Sequence, residues 1–476
     1  MSFLKDYPQL DIIKNQAIKK KISVFLVGGF FRNSLLGRSC TDFDFAVQKG
    51  ALRFAKEFSK KIKGAFVLLD AKHACARVVK KQKGNTYTFD FADFRGDTIE
   101  KDLLGRDFTI NTLCCKMNAL SDRTSIEDAL LDMKKGLKDF KAKRIKMVSS
   151  KAFMEDPLRL LRAFSLEATI GFQIESKTLA RIKKDKDLIK NVSAERIRDE
   201  LFKILATSRA ATTFIAMDKI GLLEKIIPQV TFMYHIKQGT YHHLNVWKHS
   251  LETIRQLEKL IEELCEQEDI QGYLAADLSG GRSRKSILKL GALLHDVGKP
   301  DTIMKQGKKL SFHGHERLGK AIARSIAKDL KLSVKERFAL SDMVLWHLRP
   351  GYLSNFKRPS ERSIFRYLRD TGEEAVSIAL LSWADQRSTR GPLTSQADQK
   401  HHEKICKDLI RRYFKKKNEK PFTRLIDGND LIKELKLQPS PLFSKILNEV
   451  EEQQVLGKIE TKKDALNLAR KVVNKK

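Results

Sequence analysis

The most constraining stretch of this chain lies between Phe25 and Val47. An apolar segment, Phe25-Leu26-Val27, meets a Gly28-Gly29 turn and Phe30-Phe31-Arg32, and after residues 33–40 comes Thr41-Asp42-Phe43-Asp44-Phe45-Ala46-Val47. Glycines at such a turn let backbone N–H groups approach a phosphate chain with no Cβ in the way. Residues two apart on a strand share a face, so Asp42 and Asp44 can hold a pair of Mg²⁺ ions while Phe43 and Phe45 point the other way, into a core. A Gly-Gly pair alone is usually a surface turn. Joined to an Asp-x-Asp strand at this spacing, it is the pattern that two-metal nucleotidyl transfer requires, with Asp42 and Asp44 as catalytic carboxylates.

At 476 residues the chain is long enough for about three domains. Its 92 Lys and Arg against 59 Asp and Glu leave a net charge of +33. Self-repulsion on that scale is offset by a polyanion, so nucleic acid is the expected partner. No run of about 18 apolar residues occurs, so no membrane span is expected, and Met1–Pro8 lacks the basic, apolar and small segments of a signal peptide. Cys40, Cys75, Cys114, Cys115, Cys265 and Cys406 form no Cys-x-x-Cys pair or disulfide framework and read as the reduced thiols of a cytoplasmic protein.

The first part of the chain, 1–148, mixes strands at Val24–Val27, Asp42–Val47, Ala65–Leu69, Ala74–Val79 and Thr86–Phe91 with helices at Ala51–Ile62 and around Asp107–Cys115. That predicts an α+β head, a mixed five-stranded sheet with helices on one side. From about Phe153 the pattern becomes helix after helix, with Gly171, Gly221 and Pro228 as stops. A helical neck is expected over 149–230, a histidine-bearing helical domain over 231–390, and a basic helical tail over 391–476 that contains Arg411-Arg412-Tyr413-Phe414-Lys415-Lys416-Lys417. Cys265–Lys285 is polar and reads as an exposed loop.

Three further segments stand out along the chain. In Arg106-Asp107-Phe108-Thr109-Ile110-Asn111, Asp107 and Asn111 are four apart and thus neighbours on a helix face. An acid and an amide so placed can hydrogen-bond ribose hydroxyls while Arg106 meets phosphate; a capped helix start is the plain alternative. In Glu155-Asp156-Pro157-Leu158-Arg159-Leu160-Leu161-Arg162, Pro157 suits a first helical turn, and Asp156 stands three residues from Arg159. That pair offers acceptors and donors, an edge a nucleobase can read, or else an N-cap with an ion pair. Ala194-Glu195-Arg196-Ile197-Arg198-Asp199-Glu200-Leu201 is a charged helix with no chemistry required of it.

Together these segments resemble, in order, the motifs of the class II tRNA nucleotidyltransferases, the CCA-adding family related to bacterial poly(A) polymerases; they cover residues 22 to about 205. The resemblance implies a head like that of DNA polymerase beta, then a helical neck, body and tail. It implies that Asp42 and Asp44 hold catalytic Mg²⁺, that Asp107 and Asn111 hold the ribose, and that Asp156 with Arg159 selects ATP and CTP. Gly28, Gly29, Arg32, Arg106 and Arg162 would line the triphosphate. The 3′ end of tRNA is the implied partner, with no DNA. A third carboxylate is expected from Asp90 or Asp93, and the residues leave that choice open. Three departures touch phosphate contacts: Asn33 replaces an aspartate after Arg32, Gly105 replaces the first arginine of Arg-Arg-Asp, and Ser165 stands where a further arginine is common. The motifs do not separate full CCA addition from CC-only, A-only or poly(A) addition. Part of the flexible loop that governs the number of nucleotides is expected between Arg95 and Asp102.

A second pattern runs downstream: His249, then His295-Asp296 before Val297-Gly298-Lys299, then His313 and His315, His347, and Asp385. A distant His, an adjacent His-Asp and a distant Asp resemble an HD-type metal-dependent phosphohydrolase. Its imidazole and carboxylate donors suit a divalent transition metal, which would lower the pKa of a water that attacks a phosphate ester. His249, His295, Asp296 and Asp385 are the expected ligands, His315 and His347 outer ligands or phosphate contacts, and Lys299 a neutraliser of phosphate charge. The resemblance implies 2′,3′-cyclic phosphodiesterase or phosphatase activity on RNA ends. An HD phosphohydrolase whose head has become an RNA-binding module is the remaining alternative. Arg181, Lys183, Lys184 and Lys186 on the neck are expected to grip RNA backbone together with the tail.

Overall fold

A computed structural model describes residues 6–120, 126–239, 243–307, 309–391, 395–419 and 423–474; Met1–Lys5, read above for a leader, lie outside them. The chain divides into two units, 1–207 with 216–226, and 208–215 with 227–476. Among the described residues, no helix is long and apolar enough to cross a membrane.

The first unit opens with helix α1 (Pro8–Lys20), strand β1 (Val24–Val27), helix α2 (Gly29–Leu35), strand β2 (Asp42–Val47) and helix α3 (Ala51–Ile62). Strands β3 (Ala65–Asp70), β4 (Cys75–Gln82) and β5 (Asn85–Asp93), helix α4 (Ile99–Leu104) and strand β6 (Cys114–Lys116) follow. The sheet has six strands in the order β3-β4-β5-β2-β1-β6. β2 and β5 run parallel, and the other neighbours are antiparallel. The expected mixed α+β head is present, with one strand more than expected. The extra strand comes from the segment expected to be helical around Asp107–Cys115, which holds a 3₁₀ turn, Thr109–Asn111, and then β6. Phe108, Ile110, Leu113, Cys114 and Cys115 are all buried. The polar residues Asp107, Thr109, Asn111 and Thr112 are buried as well, so the segment has no solvent face for an amphipathic helix, and Val27 and Leu26 on β1 offer Cys114 and Cys115 an edge to pair with.

Strand parity sorts the head into two faces. On one, Phe43 stacks on Phe89 at 5.2 Å and Phe45 on Phe91 at 4.9 Å, with Phe54 and Phe58 of α3 against them. Each such ring contact is worth about 1 kcal/mol beyond area burial. On the other face, Ile99 and Leu103 of α4 join Val27, Ala46 and Cys114. A short helix therefore covers this face too, where helices were expected on one side alone. Asp42 and Asp44 belong to the α4 face by parity. Helix α5 (Leu158–Ile170) and helix α6 (Ala194–Ala206) complete the part of this unit that concerns the site. Gly171, in the left-handed region at φ 76°, ends α5 as expected.

The second unit is helical: α7 (Val246–Glu263), α8 (Glu268–Ala275), α9 (Arg284–Leu294), α10 (His315–Asp329), α11 (Val334–Trp346), α12 (Ala375–Ser388) and α13 (Gln396–Asn418) carry what matters below. The stretch Cys265–Lys285, expected as an exposed loop, instead contains α8 and a small hairpin, Asp277–Ser279 with Arg282–Ser283. Ile270, Tyr273 and Leu274 are buried; at i, i+3 and i+4 they form a stripe that the polar neighbours hide from a composition reading. The hairpin is anchored where Arg282 donates to both oxygens of the fully buried Glu336 carboxylate at 2.6 and 3.1 Å, and Ser333 N–H donates to the same carboxylate at 2.7 Å. The tail holds its own small core, with Leu431, Ile446, Val450, Ala465 and Ala469 at its centre.

Glu336→Ala removes the buried carboxylate that takes both hydrogen bonds from the half-buried Arg282 guanidinium, a loss of about 3 kcal/mol. The melting transition of this unit should fall by several degrees, measured by differential scanning calorimetry; an unchanged Tm would contradict the anchoring role.

Candidate active site and metal centre

The head site is built on the β1–α2 turn and the paired strands β2 and β5. Gly28 sits at φ 81°, and a Cβ there would come within 2.7 Å of Asp44 Oδ2. Only glycine both adopts this backbone and leaves the carboxylate its place. In the β2–β5 register Asp42 faces Thr88 and Asp44 faces Asp90. Asp42 accepts a hydrogen bond from the Thr88 hydroxyl, and Asp90 takes two from Arg77, both at 2.8 Å. Asp93 has the opposite parity, and its Oδ1 accepts from Ala51 N–H at 2.7 Å, which caps α3. Of the two candidate third carboxylates, geometry thus brings Asp90 to the Asp42–Asp44 face and gives Asp93 a structural task. Burial raises the pKa of Asp44; the Arg106 charge opposes that and the Asp90 charge adds to it. An oxygen-only donor set fits Mg²⁺.

A continuous polar network runs away from this face. Arg162 Nε lies 3.0 Å from Asp107 Oδ2; Asp107 Oδ1 accepts from Asn111 at 2.9 Å and from Phe108 N–H at 2.7 Å; Asn111 Oδ1 accepts from Arg32 at 2.7 Å. Asp107 and Asn111 are therefore neighbours as expected, although the turn joining them is 3₁₀ rather than α. Burial acts to raise the Asp107 pKa, but Arg162 and the hydrogen bonds from Asn111 and Phe108 outweigh it and hold it below the usual range. Arg32 also donates to Asn33 Oδ1 at 3.0 and 3.2 Å. Asn33 therefore meets Arg32 with a neutral amide oxygen, without the charge an aspartate would bring.

Arg159 N–H donates to the Asp156 carbonyl at 3.1 Å, but the two side chains are turned to other partners. Pro157 N-caps α5, and Arg159, buried, donates to the Gly105 carbonyl at 2.6 Å, to Ala152 O at 3.1 Å and to Arg106 O at 3.3 Å. Asp156 Oδ2 accepts from Arg196 at 2.8 Å. The sequence gives Arg196 no required chemistry, and only its place in the Glu-Arg-Ile segment marks it. Asp102, buried in α4, was also missed: its Oδ2 accepts from Arg106 at 3.1 and 3.2 Å. Ser165 gives its hydroxyl to the buried Glu200, so this departure serves the packing of α5 on α6. On the neck, Arg181 is spent on Asp185 and Lys186 lies 3.8 Å from Glu224, while Lys183 and Lys184 are exposed.

In the second unit the fold brings His249, His295, Asp296, His315, His347 and Asp385 together. His249 Nε2 lies 2.8 Å from Asp385 Oδ1. Asp296 Oδ2 is 3.2 Å from His295 Nε2 and 3.8 Å from His249 Nε2, while its Oδ1 is 3.4 Å from His315 Nε2 and 3.8 Å from His347 Nε2. Two groups result, His249 with His295 and Asp385, and Asp296 with His315 and His347, each with its ligand atoms within 4.8 Å of one another. His313 is exposed and outside both. The Nδ1 atoms of His295, His315 and His347 lie 2.9, 2.7 and 2.7 Å from the carbonyls of Ala292, Phe312 and Val344. A carbonyl only accepts, so each Nδ1 carries a proton, and in the neutral ring each Nε2 presents a lone pair. His295 Nε2 is buried and makes no hydrogen bond, and the Nε2 atoms of His315 and His347 face each other at 3.4 Å. Burial, with the neighbouring His295 and His315, pushes the His347 pKa down to about 3. Converging lone pairs around a carboxylate fit a divalent transition metal, and one Asp296 oxygen faces each group. His315 and His347 thus sit with the central aspartate instead of outside it. Lys299 Nζ is 2.6 Å from Asp296 Oδ2 and from the Oε1 of Gln238, a buried residue that sequence gave no reason to single out.

Three family descriptions match the chain: "Poly A polymerase head domain" over residues 24–146, "Probable RNA and SrmB- binding site of polymerase A" over 171–233, and "HD domain" over 246–456. The chain is 28% identical to an A-adding tRNA nucleotidyltransferase of Deinococcus radiodurans over 92% of its length and 93% of the relative's. It is 27% identical to a CC-adding tRNA nucleotidyltransferase of Thermus thermophilus, over 93% and 92%. Its fold matches a Thermotoga maritima CCA-adding enzyme solved with tRNA at a TM-score of 0.61 and 21% identity, covering 99% of this chain and 95% of that one.

Metal analysis by mass spectrometry of the purified chain, loaded with Mn²⁺ or Ni²⁺ and desalted, should give two tightly held ions per chain. His315→Ala should retain one and Asp296→Ala neither, with Tm confirming that both variants fold. A wild-type content below one ion would contradict the fit of this centre to a metal.

Proposed function

Because the chain belongs to the class II tRNA nucleotidyltransferase family, with its polymerase-A-type head, RNA-binding segment and HD domain, we propose that it builds or repairs the 3′-terminal CCA of tRNA from CTP and ATP. The observation that carries this reading is the placement of Gly28, Asp42, Asp44 and Asp90 on one face of the head. Relatives named as A-adding, CC-adding and multifunctional CCA proteins support the reaction class, and similar folds solved with tRNA, ATP and CTP support the partners.

In the reaction, the 3′-hydroxyl oxygen of the RNA bonds to the α-phosphorus of the nucleotide, the bond to the β-phosphate oxygen breaks, and pyrophosphate leaves. Asp42, Asp44 and Asp90 would hold Mg²⁺, which supplies positive charge at the attacking and leaving oxygens. The remaining work is alignment. Gly28 and Gly29 let the triphosphate lie close to the backbone. Arg32, Arg106 and Arg162 meet its phosphates, Asp107 and Asn111 hold the ribose, and Asp156 and Arg159 read the base edge.

Restricted addition, CC only or A only, is the second reading, and one observation favours it. Exchanging C for A in a single protein pocket needs an element that moves. The stretch expected to hold part of that loop joins β5 to α4 through residues 94–98 alone. It is tied by Arg95 N–H to Asp102 at 3.2 Å, by Lys101 to Asp97 at 2.7 Å, and by the Thr98 cap on Lys101 N–H. For the second unit we propose hydrolysis of phosphate esters at RNA ends, 2′,3′-cyclic phosphates included, supported by the lone pairs that converge beside Asp296.

Extension of tRNA transcripts ending before CCA, after C and after CC, with CTP and ATP apart and together, tests these readings. Ordered addition of C, C and A, lost in Asp42→Ala, is the expected result; arrest at CC, or growth of the CC end only, supports the restricted reaction. Long A tails would make the chain a poly(A) polymerase, and no incorporation would leave the HD phosphohydrolase reading. A transcript ending in a 2′,3′-cyclic phosphate should be extended by the wild type and refused by Asp296→Ala, which still extends a 3′-hydroxyl end.

A further inference from the structure

The arginines around the head site differ in how their charge is met. Arg106 has Asp102, Arg162 has Asp107 and Arg196 has Asp156. Arg95 has no carboxylate partner on its side chain among the described residues. Its Nη1 donates to the Gly105 carbonyl at 2.5 Å, the same oxygen that accepts from Arg159 Nη2 at 2.6 Å. The exposed Arg95 and the buried Arg159 thus share one acceptor, so Arg95 fixes the carbonyl on which the Arg159 guanidinium rests. Burial lowers the Arg159 pKa, and the charge of Arg95 works in the same direction while Asp107 opposes both.

The residue at 105 explains how Arg95 comes to lie there. A Cβ at Gly105 would stand 3.2 Å from Arg95 Cδ, tighter than an ordinary contact. The backbone at Gly105, φ −79° and ψ 4°, is open to any residue, so glycine is not demanded by conformation. What its missing side chain does is leave room for Arg95 to fold over the carbonyl. Asp102 holds the other end of the arrangement: Oδ1 accepts from Arg95 N–H at 3.2 Å and Oδ2 from Arg106. Arg106 in turn acts on Asp44. Asp102 and Arg95 thus join the metal-binding end of the site to Arg159 at its base-reading end.

We infer that Arg95 is a positioning residue for nucleotide selection: through the Gly105 carbonyl it holds Arg159 at the base edge, in the space that a side chain at 105 would otherwise fill. The inference rests on the transferase reading and on the role given there to Arg159. Arg159 Nη1 already meets Glu155 Oε2 at 3.5 Å, and a guanidinium that loses this brace is drawn further toward that carboxylate and meets the base at a different angle. Selection then suffers more than the chemical step, because a site that reads hydrogen-bonding groups discriminates only when its donors are fixed.

The test compares wild type, R95A, R95K and the double variant R95A/G105R on a tRNA that lacks its terminal nucleotides. The readouts are kcat/KM for CTP, UTP, ATP and GTP, and equilibrium binding of CTP and UTP without RNA. R95A should lower the CTP-over-UTP preference about tenfold, chiefly through KM and binding, the scale of a lost hydrogen bond to a charged group. R95K should recover part of the preference, and R95A/G105R should recover more by returning a guanidinium from position 105. An R95A enzyme with unchanged preference and only a lower Tm would make Arg95 a structural brace and overturn the inference. If the wild type bound CTP but extended no RNA, the transferase reading would fall, while the binding comparison would still decide the role of Arg95.

Discussion

The in-register parallel pairing of β2 with β5 is the constraint on which the head depends. One alignment opposes Phe43 to Phe89, Asp44 to Asp90 and Phe45 to Phe91. It therefore sets the aromatic core on one face and the carboxylates on the other. A slip of one residue would exchange the faces, driving aspartates into the core and phenylalanines into the site. The stacked ring pairs and the phenylalanines of α3 oppose such a slip, so the core fixes the chemistry's geometry. Gly28 completes the arrangement from the neighbouring strand, because the Asp44 carboxylate occupies the space a side chain there would need.

The second unit reaches its geometry by a different physical route. His295 and His347 stand at the C-terminal ends of α9 and α11, where the last carbonyls of a helix lack intrahelical partners. Those carbonyls, Ala292 and Val344, accept the Nδ1 protons and leave both Nε2 atoms aimed at Asp296. Helix ends supply orientation, and burial supplies the low dielectric that makes an unpartnered lone pair costly. A cation at the centre relieves that cost, which is why the two groups are read as metal ligands rather than as packed histidines.

Much of this was legible in the sequence, and the gaps have physical causes. The shared face of Asp42 and Asp44 was legible in the Asp-x-Asp segment because strand parity needs no tertiary information. The adjacency of Asp107 and Asn111 survived a wrong secondary structure, since hydrogen bonding between an acid and an amide tolerates either helix type. The choice of Asp90 over Asp93 required the strand register, which no local pattern fixes. The contacts of Arg95, Asp102 and Arg196 cross turns or join helices, so residue spacing does not place them. β6 was misread because a segment buried all round carries no periodicity, and α8 because its apolar stripe is short and set among acids.

The most direct measurement is a crystal of the chain soaked with Mn²⁺ and a non-hydrolysable CTP analogue, with the metals located by anomalous scattering. The arrangement described here requires head peaks within ligand distance of Asp42 and Asp44 with Asp90 beside them, and the triphosphate over Gly28. Head manganese bound at Asp93, or a triphosphate lying away from the Gly28 turn, would contradict it.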